Sequence, residues 1–110
     1  MCVFCKIING EIPAQIVFED ARVIAFKDIT PQAPTHILVV PKEHVDSVAE
    51  VDDPGLWSWF MQAVMQVVKK FDLNRQGYRF VINTGEQGGQ TVPHLHLHIL
   101  AGRNLGWPPG

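Results

Sequence analysis

Thr91-Val92-Pro93-His94-Leu95-His96-Leu97-His98-Ile99-Leu100 is the stretch whose reading decides the fold. It holds three of the five histidines of a 110-residue chain, each separated from the next by one aliphatic residue. Side chains alternate between faces along a strand. The spacing therefore predicts a strand with His94, His96 and His98 on one face and Leu95, Leu97 and Ile99 on the other. The aliphatic face belongs in a core, and the imidazole face makes a site. At about 3.3 Å per residue the outer imidazoles leave the backbone about 13 Å apart. Rings rising in parallel at that spacing do not converge on one metal ion, whose imidazole nitrogens sit about 2 Å away. They suit an extended substrate, with one ring attacking and its neighbours handling charge and protons.

Immediately upstream, Asn83-Thr84-Gly85-Glu86-Gln87-Gly88-Gly89-Gln90 brings two adjacent glycines to the start of the histidine strand. Without side chains there, backbone N–H groups can approach an anion closely. The pattern is neither a Walker A loop nor a GxGxxG. Joined to the histidines, it points to an oxyanion such as phosphate lying along the imidazole row.

Composition narrows the partners. Hydrophobic residues make up 46% and charged residues 18%, with a formal net charge of −2, the balance of a compact globular chain. No basic footprint for nucleic acid or an anionic membrane is present, and no apolar run reaches the length of a membrane span. One domain over residues 1–110 is expected. Met1-Cys2-Val3-Phe4 lacks the cationic segment and apolar core of a signal peptide, so a cytoplasmic protein is expected. In a reducing compartment the lone Cys2-x-x-Cys5 pair reads as metal-binding or redox-active before it reads as a structural disulfide. A pair of small buried thiols is the plain alternative.

Along the chain, Cys2 to Asn9 predicts a short helix ended by Gly10. Gln15–Glu19 and Val23–Phe26 read as strands around Asp20-Ala21-Arg22. Asp28 to Pro34 is a loop with two prolines, and Asp28 at its mouth is either a turn cap or a contact for a ligand hydroxyl. His36 to Val40 reads as a central strand stopped by Pro41. Lys42 to Val51 is expected as a loop and a short helix carrying His44. Leu56 to Phe71 gives the strongest helical signal: Trp57, Phe60, Met61, Val64, Val67, Val68 and Phe71 follow the i, i+3, i+4, i+7 rule. Tyr78 to Asn83 is a fourth strand and the histidine segment a fifth. Short connections around one long helix imply an antiparallel α+β domain.

The assembled motifs resemble the histidine triad (HIT) family, whose signature is His-φ-His-φ-His-φ-φ with φ apolar. His94 to Leu100 satisfies it at every position. The resemblance extends through Ile29 to His36, Pro41-Lys42-Glu43-His44, Gly88-Gly89-Gln90-Thr91 and the ending Trp107-Pro108-Pro109-Gly110. That ending is similar to the histidine triad nucleotide-binding (HINT) branch. The resemblance implies a five-stranded antiparallel sheet with one long helix and a short N-terminal helix, dimerising into a continuous sheet. It also implies a hydrolase of purine nucleoside phosphoramidates, releasing AMP. His96 would attack the α-phosphorus to form a nucleotidyl-histidine, His98 would contact the phosphate, and Thr91 would bond it or help protonate the leaving group. Asp28 and Ile29 match the ribose-and-base site, Asn83, Gly89 and Gln90 match positions along phosphate and sugar, and His36 matches a further histidine nearby. Most of the branch has Ser where Thr91 stands. By the same resemblance Cys2, Cys5, His44 and His94 are the candidate ligands of a structural Zn²⁺, with His94 supporting His96 from behind. No Mg²⁺ requirement is expected, because no Walker lysine or acidic metal cluster is visible. Two other readings stand beside this one: a dinucleoside polyphosphate hydrolase, which the Trp-Pro-Pro-Gly ending disfavours, and a nucleotide-binding module with little turnover.

Overall fold

Local chemistry sets each element. In the computed structural model, which describes residues 1–110, the Cys2 Sγ accepts the Cys5 N–H at 3.3 Å and caps helix α1 (Val3–Ile8). Gly10, at φ +77°, takes the left-handed conformation that lets the chain leave the helix. Strands β1 (Ile16–Glu19) and β2 (Val23–Lys27) are joined by a turn in which Asp20 Oδ1 accepts the N–H groups of Arg22 and Val23, both at 2.8 Å. Strand β3 (Thr35–Pro41) runs one residue further at each end than expected. Pro41, the last residue, stands opposite Val23, and the pairing is carried past it by the Lys42 N–H, which donates to Arg22 O at 2.8 Å.

Helix α2 (Pro54–Lys70) starts one residue after Asp53, whose Oδ1 accepts the Gly55 N–H at 2.8 Å, with Pro54 in the first position. Lys69 and Lys70 occupy its last turn, where cations complement the dipole. Strand β4 (Arg79–Val81), a four-residue helix α3 (Gly85–Gly88) and strand β5 (Leu97–Ala101) complete the chain.

The sheet is antiparallel throughout, in the order β1-β2-β3-β5-β4. In the β3–β5 register Leu38 faces His98 and His36 faces Leu100. One sheet face presents Val23, Ala25, Ile37, Val39, Leu97, Ile99 and Ala101 to α2, which buries Leu56, Phe60, Ala63, Val64, Val67 and Val68 against them. The other face presents Ile24, Phe26, Leu38 and Val40 to Phe4 of α1. His36 and His98 share this second face by the period of two along β3 and β5.

Four expectations change. The buried stripe of α2 is rotated toward Leu56 and Ala63, leaving Trp57, Met61 and Phe71 half-buried at its margin. The small Ala63 is buried in the core, and size-blind periodicity passes over it. His44 sits in irregular chain ahead of a short 3-10 turn (Val48–Glu50), not on a helix. The chain around Gly88 and Gly89 forms α3, which ends at Gly89 with φ +83°. The histidine strand starts only at Leu97. Upstream of it the backbone has other partners: the Leu95 N–H donates to Val45 O at 2.6 Å and the His94 carbonyl accepts from a side chain, so neither joins the ladder. No helix is long and apolar enough to cross a membrane.

Phe60 is completely buried between α2 and the sheet. Phe60→Ala is expected to cost about 3–5 kcal/mol of stability in urea denaturation. Met61→Ala, one position round the same helix, is expected to cost less than half as much.

Candidate functional site

On the face away from α2 lies a cavity of roughly 300 Å³. The N-terminal segment supplies Val3, Phe4, Ile7, Ile12, Pro13 and Ala14; the end of β2 and the next loop supply Phe26 to Thr30; Leu38, Thr91, Val92, His96 and His98 complete it. This is the size and mixed character of a small-molecule site: mostly apolar walls with a few converging polar groups.

His96 is only 4% exposed, yet its ring forms part of the cavity wall. Its Nδ1 lies 2.7 Å from the His94 carbonyl oxygen. A carbonyl can only accept, so the proton is on Nδ1 and the Nε2 lone pair is free. Phe4 packs edge-to-face with this ring, centroids 5.1 Å apart, and the His98 ring centroid stands 5.0 Å away.

His98 belongs to a second chain of fixed protons. The Gln32 N–H donates to His36 Nδ1 at 3.0 Å, so His36 carries its proton on Nε2. That Nε2–H donates to His98 Nδ1 at 2.9 Å, which leaves the His98 proton on Nε2. The Asp28 Oδ2 lies 3.5 Å from His36 Nε2, while its Oδ1 accepts from the Thr30 N–H and hydroxyl at 2.8 and 3.1 Å. Asp28 therefore both caps a turn and faces the imidazole pair. Burial first, and the neighbouring imidazoles of His96 and His36 second, push His98 down to about 4. Burial also lowers His36, against the pull of Asp28. Both rings are uncharged near neutral pH, so His98 offers its neighbours a neutral N–H.

His94 turns from the cavity toward the cysteines. Its Nε2–H donates to Pro41 O at 2.8 Å, leaving Nδ1 bare, 3.3 Å from Cys2 Sγ and 3.6 Å from Cys5 Sγ. His44 is arranged alike: Asp46 accepts its Nε2–H at 2.6 Å, and its Nδ1 lies 3.3 Å from Cys5 Sγ and 3.8 Å from Cys2 Sγ. A tetrahedral zinc with thiolate and imidazole ligands sets S···N separations of about 3.6 Å, so the four donors fit such an ion. Each imidazole also donates its far N–H to an oxygen, as metal-binding histidines do. Burial opposes ionisation of Cys2, but the Cys5 and Phe4 N–H groups and the Cys5 and His44 side chains outweigh it and hold that thiol below its ordinary range. Burial and the neighbouring Cys2 raise Cys5. The Asp46 hydrogen bond raises His44.

Of the residues expected at a nucleotide, Asp28, Ile29, Thr91, His96 and His98 line the cavity, with Ile29 94% exposed at its rim. His36 stands behind His98. Asn83 and Gly89 lie off the cavity wall, and Gln90 is a brace: its Nε2 donates to Asp46 O and Val92 O at 2.7 and 3.0 Å, while its Oε1 accepts the Gly85 N–H. Sequence reasoning did not single out Phe4 and Ile7 as cavity walls, nor Asp46 and Pro41 as partners of the cluster. The His44-x-Asp46 spacing was the available signal for Asp46. A backbone carbonyl such as that of Pro41 leaves none.

Fold and site together define a histidine-triad protein, and comparison with known proteins agrees. The HIT domain model matches residues 9–105, and the chain belongs to that family. A HIT family hydrolase from Legionella pneumophila superposes with a TM-score of 0.95 at 46% identity, covering 100% of both chains. A histidine triad nucleotide-binding protein from Candida albicans superposes at 0.86 with 32% identity, over 98% of this chain and 83% of that one. A 14 kDa zinc-binding protein of Zea mays is 45% identical over 98% of this chain and 87% of its own length.

The lowered histidines give stability a definite pH dependence. Unfolded, an imidazole titrates near 6.5, whereas folded His98 does so at about 4. As pH falls through this window the unfolded chain takes up the proton first, so stability is lost between these values and levels off below about 4. The melting temperature is expected to decline over that range, and His98→Asn to flatten the decline.

Proposed function

We propose that this protein is a nucleotide hydrolase that cleaves purine nucleoside phosphoramidates through a covalent nucleotidyl-histidine. The observation carrying this reading is the His96 tautomer: a bare Nε2 in the cavity wall, with Nδ1–H held by a carbonyl. The lone pair of Nε2 attacks the α-phosphorus, the P–N bond to the amine breaks, and the leaving nitrogen keeps that electron pair and takes a proton through the Thr91 hydroxyl. Water then attacks phosphorus, the N–P electron pair returns to Nε2, and the proton the water gives up replaces the one lost through Thr91. As the N–P bond forms, the ring gains positive charge, and the His94 carbonyl dipole at Nδ1–H stabilises it. The neutral His98 Nε2–H donates to a phosphoryl oxygen, and the Thr91 hydroxyl at the cavity mouth serves the phosphate or the departing amine. Apolar residues take the base, and Asp28 and Ile29 at the rim face the ribose. The names of the Legionella and Candida relatives support hydrolysis and nucleotide binding as the chemistry.

The Cys2, Cys5, His44 and His94 cluster is read as a closed structural Zn²⁺ site. The zinc-binding name of the maize relative supports that reading. The ion supplies a cross-link, because all four positions are filled by protein. Pairing of two copies into a continuous sheet, expected from the resemblance, is part of the same proposal.

Mass spectrometry of enzyme quenched during turnover of adenosine 5′-phosphoramidate is expected to show one added AMP on His96. His96→Ala is expected to lose this adduct and at least 10³-fold in kcat while still binding AMP. An adduct on another residue would refute the assignment. Metal analysis of protein purified without chelator is expected to give one zinc per chain, and EDTA to lower the melting temperature.

A further inference from the structure

The metal cluster and the cavity share one structural part. Both thiols belong to the first turn of α1, Cys2 as its cap and Cys5 within it. The same helix presents Val3, Phe4 and Ile7 to the cavity. Helix α1 has six residues and one buried side chain, Phe4. A helix that short does not persist by itself. The other two cluster residues, His44 and His94, stand on the body of the protein, so an ion bound by all four fastens α1 to the sheet.

Phe4 is where the two sites meet. Its ring centroid lies 5.9 Å from that of His94, 5.1 Å from that of His96 and 5.5 Å from that of Phe26 in the cavity wall. It touches a metal-site imidazole, the attacking imidazole and the apolar wall at once.

We infer that metal binding and nucleotide binding assist each other, with α1 as the shared ordered element and Phe4 as the side chain that couples them. The inference rests on the metal and nucleotide readings given above. It adds that zinc sets nucleotide affinity, although none of its four candidate ligands lines the cavity. A ligand that orders α1 removes part of the ordering cost for the other, and thermodynamic reciprocity makes the gain equal in both directions. A metal that merely stabilises an already folded chain leaves AMP affinity unchanged, and the factor is one in both directions.

The test uses the full chain, Zn²⁺ and AMP. Calorimetric titration of AMP into zinc-loaded and chelator-stripped protein is expected to give about tenfold tighter binding in the loaded form. Competition with a chromophoric chelator is expected to show zinc held tighter by the same factor at saturating AMP. Hydrogen exchange at the α1 amides is expected to slow with either ligand and to slow most with both. In Phe4→Ala, zinc still binds and the coupling factor falls toward one. Equal AMP affinity in the two forms overturns the linkage while leaving both binding sites standing. Full coupling in Phe4→Ala removes Phe4 from its role. If stripping speeds exchange across β3 and β5 as much as in α1, the coupling element is not α1. Failure of AMP to bind either form sinks the nucleotide reading and the linkage with it, and failure of zinc to bind does the same for the metal reading.

Discussion

The pairing of β5 with β3 governs the rest of the molecule. Because Leu38 lies opposite His98 and His36 opposite Leu100, the imidazoles of both strands emerge on the face away from α2. A slip of one residue would drive His98 into the core beneath Phe60 and turn Leu97 and Ile99 outward. That alternative exposes large side chains and buries imidazoles without partners, so the hydrophobic pattern fixes the register and the register fixes the site.

Where the ladder stops, the site begins. Residues 94–96 leave the sheet, and their backbone groups turn to Val45 and to the His96 ring. One residue, His94, thereby serves two clusters: its ring reaches the cysteines while its carbonyl sets the tautomer of His96. A parallel chain from the Gln32 N–H through His36 sets the tautomer of His98. Three buried imidazoles are commonly an expense to a fold, yet no buried side-chain nitrogen or oxygen here lacks a partner.

Much of this was legible beforehand. Alternation in residues 94–100 located the aliphatic core face, and Leu95, Leu97 and Ile99 are indeed buried. Asp53-Pro54 and the apolar periodicity marked α2 to within two residues of its start. The parts that escaped depend on backbone atoms or long-range packing. Nothing in the sequence says that the His94 carbonyl will leave the ladder. Nor does it say that Gln90 will brace the 44–46 loop instead of facing the cavity. Phe4 and Ile7 read as ordinary helix residues, because a wall is made by what stands opposite it, and that is a property of the fold.

The neutrality of His98 reaches beyond its protonation state. Lys27 and Asp28 bring opposite formal charges to the cavity lining, and no other lysine, arginine or acid does so. Under the proposed function, an anion seated among these groups would be gripped by oriented dipoles at contact distance, not drawn in by a surplus of cations. Dipole fields fade quickly with distance and are little screened at contact. Such a pocket sorts its visitors by shape after arrival, and added salt hardly loosens its grip.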